Sequence, residues 1–140
     1  MSEEKEQILF ENAAYRLTAT GLQQGELSAR LEGVGKLIIT RKGSPERVID
    51  IPSPPGDYTG IRSSIPVLTA MYNLAVHELL ADTQPDGHML AGANWNTVWT
   101  RDIAYAATLG AAQLKPAEVR TSLLSRVRNG IILQDTGTGG

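Results

Sequence analysis

Apolar and polar residues alternate along the first part of the chain, and glycines separate the alternating runs. Leu27, Ala29 and Leu31 alternate with Ser28 and Arg30, which is typical of a sheet with one face in water. Four such runs predict at most four strands, in YRLTATGL, GELSARLEG, GKLIITRKG and ERVIDIP. A sheet this small needs a further layer to bury a core. We therefore expect a β-rich segment over residues 1–63, packed against another element.

A stretch rich in proline and glycine, residues 51–64, separates this pattern from a different one. Proline disfavours helix interiors and central strands, and glycine supplies turns, so this stretch is interpreted as a linker. After it, apolar residues recur at steps of three and four, which predicts a helix over 66–81. Ser64 is placed to cap this helix, and Pro66 suits its first turn.

Two further helices are predicted after a long loop. One begins near Thr100, a candidate N-cap, carries small residues on one face, and ends at Lys115-Pro116. The other runs over 116–129 and stops at Asn129-Gly130. The residues expected in the core of this last helix are Leu123, Leu124 and Val127, and those expected on its solvated face are Arg120, Arg126 and Arg128. The whole pattern indicates an α+β chain.

Composition excludes several classes of protein. The 140 residues include 13 basic and 15 acidic side chains for a net charge of −2, without the basic patch of a nucleic-acid binder. No apolar run is as long as a membrane span, and the polar start does not resemble a secretory signal, so we expect no membrane partner and a cytoplasmic location. There is no cysteine, and His77 and His88 lack suitably spaced partners. We therefore expect no metal and no cofactor.

The most informative stretch is NWNTVWTRDIAY, residues 94–105. Arg101 and Asp102 are the only formally charged side chains between residues 87 and 114, and they follow Trp95 and Trp99, the two tryptophans of the chain. Core filling could explain one tryptophan, and Asp102 alone fits an ordinary first helical turn. Together, however, the four residues match a sugar site, where aromatic faces stack on a pyranose and charged groups bind its hydroxyls.

The segment TVWTRDIAYAATLGAAQL, residues 97–114, resembles the start of the catalytic domain of glucoamylase-like six-hairpin glycosidases, which fold as (α/α)6 barrels. Glucoamylases carry Trp-Thr-Arg-Asp at this loop-to-helix junction, and the glucosidase domain of glycogen debranching enzymes carries Trp-Gly-Arg-Asp. The resemblance covers roughly residues 65–140. It implies that residues 64–140 are the truncated start of a helical glycosidase domain. Residues 1–63 would correspond to the β-domain that often precedes the barrel.

Carried over by position, the resemblance implies that Arg101 and Asp102 bind the terminal sugar of an oligosaccharide, in the subsite before the scissile bond. Trp99 would form a wall of that subsite, and Trp95 stands where glucoamylases tend to have tyrosine. The family's catalytic acid and base lie on later helices, so no residue here corresponds to either, and Asp86 is a candidate only by its closeness to the loop. We therefore expect no turnover by these 140 residues alone, and the rest of the barrel as a partner.

Two other functions remain open at this point. The chain could be a carbohydrate-binding or interaction module without chemistry. It could also be part of a glycoside phosphorylase, in which phosphate replaces the attacking water and no catalytic base is needed.

Overall fold

The computed structural model describes residues 6–92 and 94–134 of an α+β chain. Its strands are β1 (Ile8–Glu11), β2 (Arg16–Thr18), β3 (Gly21–Gln24), β4 (Leu27–Glu32), β5 (Lys36–Arg41), β6 (Arg47–Asp50), β7 (Val127–Arg128) and β8 (Ile131–Ile132). Its helices are α1 (Pro66–Ala81), α2 (Thr100–Ala106), α3 (Ala112–Leu114) and α4 (Pro116–Ser125). The chain divides into two compact units, Met1–Ala75 and Val76–Gly140.

The first unit contains a six-stranded antiparallel sheet in which every strand pairs with its neighbour along the chain. The longest pairing joins β4 to β5, where Ala29 lies opposite Ile39 and Leu31 opposite Leu37. Gly25 and Gly33 have positive φ in the turns before and after β4, a conformation that glycine adopts without a steric penalty. Short turns of this kind fix the register of the strands they join.

The expectation of at most four strands was wrong. The segment YRLTATGL holds β2 and the start of β3, because the chain reverses direction at Ala19 and Thr20. A further strand, β1, precedes it and pairs with β2 through an irregular register between Ile8 and Phe10. Strands of three or four residues show too little alternation for a period-two pattern to separate them.

The sheet packs against the first half of α1, as expected for a sheet that needs a second layer. The backbone N–H of Val67 donates to the carbonyl of Ala19 over 2.9 Å and ties the start of the helix to the turn between β2 and β3. A cavity of about 120 Å³ lies between the layers, and its lining includes Leu22, Leu31, Leu37, Ala70 and Leu74. The bounds predicted for this helix, 66–81, are confirmed.

Two side chains form hydrogen bonds at the start of α1, and the cap predicted at Ser64 stays a prediction. The hydroxyl of Ser63 accepts a hydrogen bond from the N–H of Ile65 at 3.0 Å, and the hydroxyl of Thr69 accepts one from the N–H of Ser63, also at 3.0 Å. The side chains of Ser63 and Thr69 therefore organise the entry to this helix.

The second unit has a small apolar core formed by Met89, Val98, Ile103, Ala111 and Val119. The helix predicted from Thr100 to residue 114 is kinked within Ala107–Ala111. Gly110 has φ 143°, outside the helical range, and so divides the predicted helix into two shorter ones.

The last helix is shorter than predicted. α4 ends at Ser125, and Asn129 and Gly130, both with positive φ, form the turn of the β7–β8 hairpin rather than a helix stop. Leu124 and Val127 are exposed, and the residues of α4 that enter the core side are Val119 and Ser122. Apolar residues in a two-residue strand mimic a continuing helical pattern, which explains the error.

Within the described ranges, no helix is long and apolar enough to cross a membrane. The mixture of sheet and helices agrees with the α+β class, whereas the (α/α)6 barrel stays a prediction.

Candidate functional site

The candidate site lies at the junction between a long loop and α2. A tight hairpin over residues 82–90 forms the first part of the loop, where the N–H of Leu90 donates to the carbonyl of Asp82 at 2.9 Å. The N–H of Met89 donates to the hydroxyl of Ser122 at 2.9 Å, which anchors the hairpin on α4. The loop then reaches Trp99, whose extended backbone (φ −104°, ψ 125°) makes it the N-cap residue of α2.

The four residues predicted to bind sugar line one pocket at this junction. The pocket has a volume of about 160 Å³ and is lined by Ala91, Trp95, Trp99, Arg101 and Asp102. This volume is smaller than the roughly 300–1,000 Å³ of a site for a drug-sized ligand. It is therefore a pocket for a single ring-sized group rather than for a long ligand.

The two tryptophans form the apolar wall of the pocket. Their ring centroids lie 5.6 Å apart and their planes meet at 71°, an edge-to-face pair. The indole N–H of Trp99 donates to the hydroxyl of Thr97 at 2.8 Å, which fixes that ring. Trp95 is 57% exposed, so much of its surface remains open to a stacking partner.

Arg101 and Asp102 supply the charged part of the lining. Arg101 Nε lies 3.6 Å from Asp102 Oδ2, beyond hydrogen-bond distance, and the two side chains are 71% and 37% exposed. The buried oxygen Oδ2 accepts no hydrogen bond from any described residue. This oxygen faces the guanidinium of Arg101 in an ion pair, and the side chain is nevertheless 37% exposed, so a sugar hydroxyl would meet the exposed part of the carboxylate.

The chemistry available in this pocket is binding. An aromatic face, a guanidinium donor and a carboxylate acceptor can hold a polyhydroxylated ring. Glycoside hydrolysis by inversion needs a second carboxyl group about 6.5–9.5 Å from the first. Among the described residues that line the pocket, Asp102 is the one carboxylate.

Asp86 lies outside this pocket. It lines a separate, open cleft of about 540 Å³ together with His88 and Asn96. Its carboxylate accepts a hydrogen bond from the N–H of His88 at 3.0 Å, and His88 Nδ1 lies 3.0 Å from its other oxygen. The hydrogen bonds from His88 lower the pKa of Asp86. A carboxyl group with a lowered pKa is ionised at neutral pH and has no proton to give to a leaving group, which disfavours Asp86 as the general acid.

The remaining titratable candidates do not form a site with these residues. Burial, and then the charge of Glu78, raise the pKa of Asp82 at the end of α1. The described part of the chain contains no group of three or more metal-ligating side chains. Asp135 and the glycines after it, considered as a possible pocket rim, lie outside the described residues.

Sequence reasoning missed the support of the junction. Thr100 does not cap α2; its hydroxyl donates instead to the carbonyl of Leu133 and accepts from Nε of Arg126. Arg126, expected on a solvated face, is only 1% exposed. Arg126 follows the last residue of α4. A helical pattern does not predict whether the side chain of such a residue is buried or exposed.

Comparison of the chain with known protein families, with curated proteins and with solved structures finds no significant match.

Proposed function

We propose that this chain carries part of the terminal-sugar subsite of a glycoside hydrolase that acts on α-glucosidic or similar oligosaccharides. In this proposal it is an N-terminal portion of a glucoamylase-like six-hairpin enzyme, and later helices of an (α/α)6 barrel supply the catalytic acid and base. The observation that carries the proposal is the single pocket that Trp95, Trp99, Arg101 and Asp102 line.

Each part of the lining has a role in this proposal. The exposed ring of Trp95 stacks on the C–H face of the sugar, and the ring of Trp99, held by its bond to Thr97, closes the side. Arg101 donates to a sugar hydroxyl, and the exposed part of the Asp102 carboxylate accepts from another. The small volume of the pocket fits one terminal ring. We also propose that the protein is cytoplasmic.

The experiment is a titration of the chain with maltotriose, followed by tryptophan fluorescence because both tryptophans line the pocket. We expect Arg101→Ala to weaken binding by on the order of 2–3 kcal/mol, the contribution of a charge-assisted hydrogen bond. Arg120→Ala is the matched control, since Arg120 is an exposed arginine of α4 outside the pocket. Equal affinities of the two variants would remove Arg101 from the site.

Turnover is tested with the same protein. We expect the 140-residue chain to release no glucose from malto-oligosaccharides, because its pocket offers one carboxylate where two are needed. Release of glucose at a rate that Asp102→Asn abolishes would contradict this expectation.

A non-catalytic carbohydrate-binding module is the second candidate, and the single carboxylate of the pocket favours it. The gene sequence downstream of codon 140 separates the two. Several hundred further codons that encode helical hairpins with glutamates between them support the enzyme, whereas a stop codon supports the module.

A further inference from the structure

Arg126 is the largest side chain in the core of the described residues that neither proposal uses. It is 1% exposed, and a guanidinium group is costly to bury unless its hydrogen bonds are directed to specific partners. Its position is set by its own backbone, since its carbonyl accepts from the N–H of Leu133 at 2.7 Å. Its Nε donates to the hydroxyl of Thr100 at 3.3 Å.

Thr100 connects Arg126 to the residues that line the pocket. A threonine hydroxyl has one proton, and here it is donated to the carbonyl of Leu133, so the same oxygen accepts from Arg126. The N–H of Thr100 donates to the carbonyl of Gln134 at 2.9 Å. The polar groups of Thr100 are thus directed to the segment after β8. The residues on either side of it, Trp99 and Arg101, line the pocket.

The usual way to fix the start of a helix is absent here. Serine, threonine, aspartate or asparagine at the N-cap accepts a hydrogen bond from an N–H of the first turn. At the start of α2 this position holds Trp99, which makes no side-chain cap. Trp99 forms part of the pocket wall but does not accept a hydrogen bond from the first turn. Other contacts therefore hold the start of the helix. Those contacts are the bonds of Thr100 to Arg126 and to the segment after β8.

We propose that Arg126 is a positioning residue for the sugar pocket, acting through Thr100 to hold Trp99, Arg101 and Asp102 in their binding geometry. The effect on affinity rests on the proposed function, whereas the effect on the tryptophan pair does not. Arg126 itself does not touch the sugar. Its contribution is the orientation of the first turn of α2.

The test removes the contact from either side. Thr100→Val deletes the hydroxyl at nearly constant shape, Arg126→Met deletes the guanidinium group, and Thr100→Ser keeps the hydroxyl. Ile38→Val, in the core of the sheet, controls for a general loss of stability. Two properties are measured: affinity for maltotriose, and the near-ultraviolet circular dichroism of the edge-to-face tryptophan pair.

We expect Thr100→Val and Arg126→Met each to bind maltotriose about tenfold more weakly, as for loss of a hydrogen bond to a charged group. Both should also change the near-ultraviolet signal. The loss of affinity in the double variant should be smaller than the sum of the two single losses, because each substitution already removes the contact between Arg126 and Thr100. Thr100→Ser and Ile38→Val should retain the wild-type signal and affinity.

A wild-type signal and affinity in a folded Thr100→Val protein would overturn the proposal, and this variant decides the matter if Arg126→Met does not fold. Loss of the signal in Ile38→Val would equally overturn it, because the effect would then follow stability alone. If the wild-type protein binds no maltotriose, the proposed function fails, and the circular dichroism still tests the positioning role.

Discussion

The sheet unit and the helical unit are held together by different kinds of contact. In the sheet, each strand bonds to the strand next to it in the chain, so most contacts join residues that are close in sequence. In the helical unit, key polar contacts join residues far apart: Met89 and Ser122 are separated by 33 positions, and so are Thr100 and Leu133. Local contacts cost little loop-closure entropy, whereas distant ones order a long stretch of chain.

This difference identifies where each unit is vulnerable. The sheet is sensitive to changes that prevent two neighbouring strands from approaching. The helical unit is sensitive to the loss of single polar side chains, since one hydroxyl can hold two elements together. The candidate site stands in the second unit, so its geometry depends on few groups.

The largest effect is expected at a glycine of the sheet. A Cβ on Gly21 would lie 2.5 Å from the carbonyl oxygen of Ala29, a backbone atom of the paired strand. Gly21→Ala should therefore cost about 1–3 kcal/mol of unfolding free energy, the usual cost of overpacking. Gly35→Ala is the control, because its Cβ would meet the nearest atom at 3.7 Å. Urea unfolding curves of equal midpoint for the two variants would show that strand approach does not limit the sheet.

A smaller effect is expected from the deletion of a hydroxyl in each unit. The hydroxyl of Ser122 is buried, accepts from the N–H of Met89 and donates to the carbonyl of Glu118 at 2.8 Å. Ser122→Ala leaves a buried donor unsatisfied and should cost about 1–2 kcal/mol.

Ser28 provides the matched deletion in the sheet, where its partly buried hydroxyl pairs with that of Thr40 on the next strand at 2.5 Å. Ser28→Ala should cost less than about 1 kcal/mol, because the strand pairing remains and water reaches the site. Both variants are compared by chemical unfolding. A loss of stability in Ser28→Ala equal to or larger than that in Ser122→Ala would show that the sheet depends on single hydroxyl groups as much as the helical unit does.

The smallest expected effect is on the pH dependence of stability, which should have opposite signs at one carboxyl group in each unit. Hydrogen bonds from Thr18 and Thr20 lower the pKa of Glu6, so this carboxylate stabilises the fold above its ordinary pKa and loses that effect as pH falls. Burial raises the pKa of Asp82, so its charged form opposes folding at neutral pH and the penalty fades as pH falls.

At pH 7 we therefore expect Glu6→Gln to lower the unfolding free energy and Asp82→Asn to raise it, each by up to about 0.5 kcal/mol. Melting temperatures measured across a range of pH check both changes. The difference for Asp82→Asn should vanish below the ordinary carboxyl pKa, and the difference for Glu6→Gln only below the lowered pKa that Glu6 has in the folded protein. Shifts of the same sign for the two variants at neutral pH would contradict the assigned causes.

The sequence predicted elements well where one pattern ran for several turns or residues. The long helix α1, β4 and β5 were all visible as periodic runs. The four-residue strand β6 was predicted, but the other strands of two to four residues were merged or missed, because they are too short to show a period. Boundaries set by tertiary contact, such as the end of α4 at Ser125, were placed too late.

The lining of the pocket could be predicted because its residues are near one another in sequence and on one short junction. Their chemistry, aromatic rings beside a charged pair, could be recognised from the amino-acid sequence. The support beneath them was not, because Arg126 and Leu133 are about 30 positions away from the junction and no local pattern connects them to Thr100. Their role follows from distances that only a folded chain has.

The kink at Gly110 matters for how related chains would be aligned. With φ 143°, Gly110 does not continue the helical rotation, so the residues before and after it do not share one helical period. Ile103 before the kink and Ala111 after it are both buried, and the kink rather than a helical repeat sets their relative positions. An alignment of relatives should therefore treat the two helices as separate elements, joined at a position where glycine adopts a positive φ without a steric penalty.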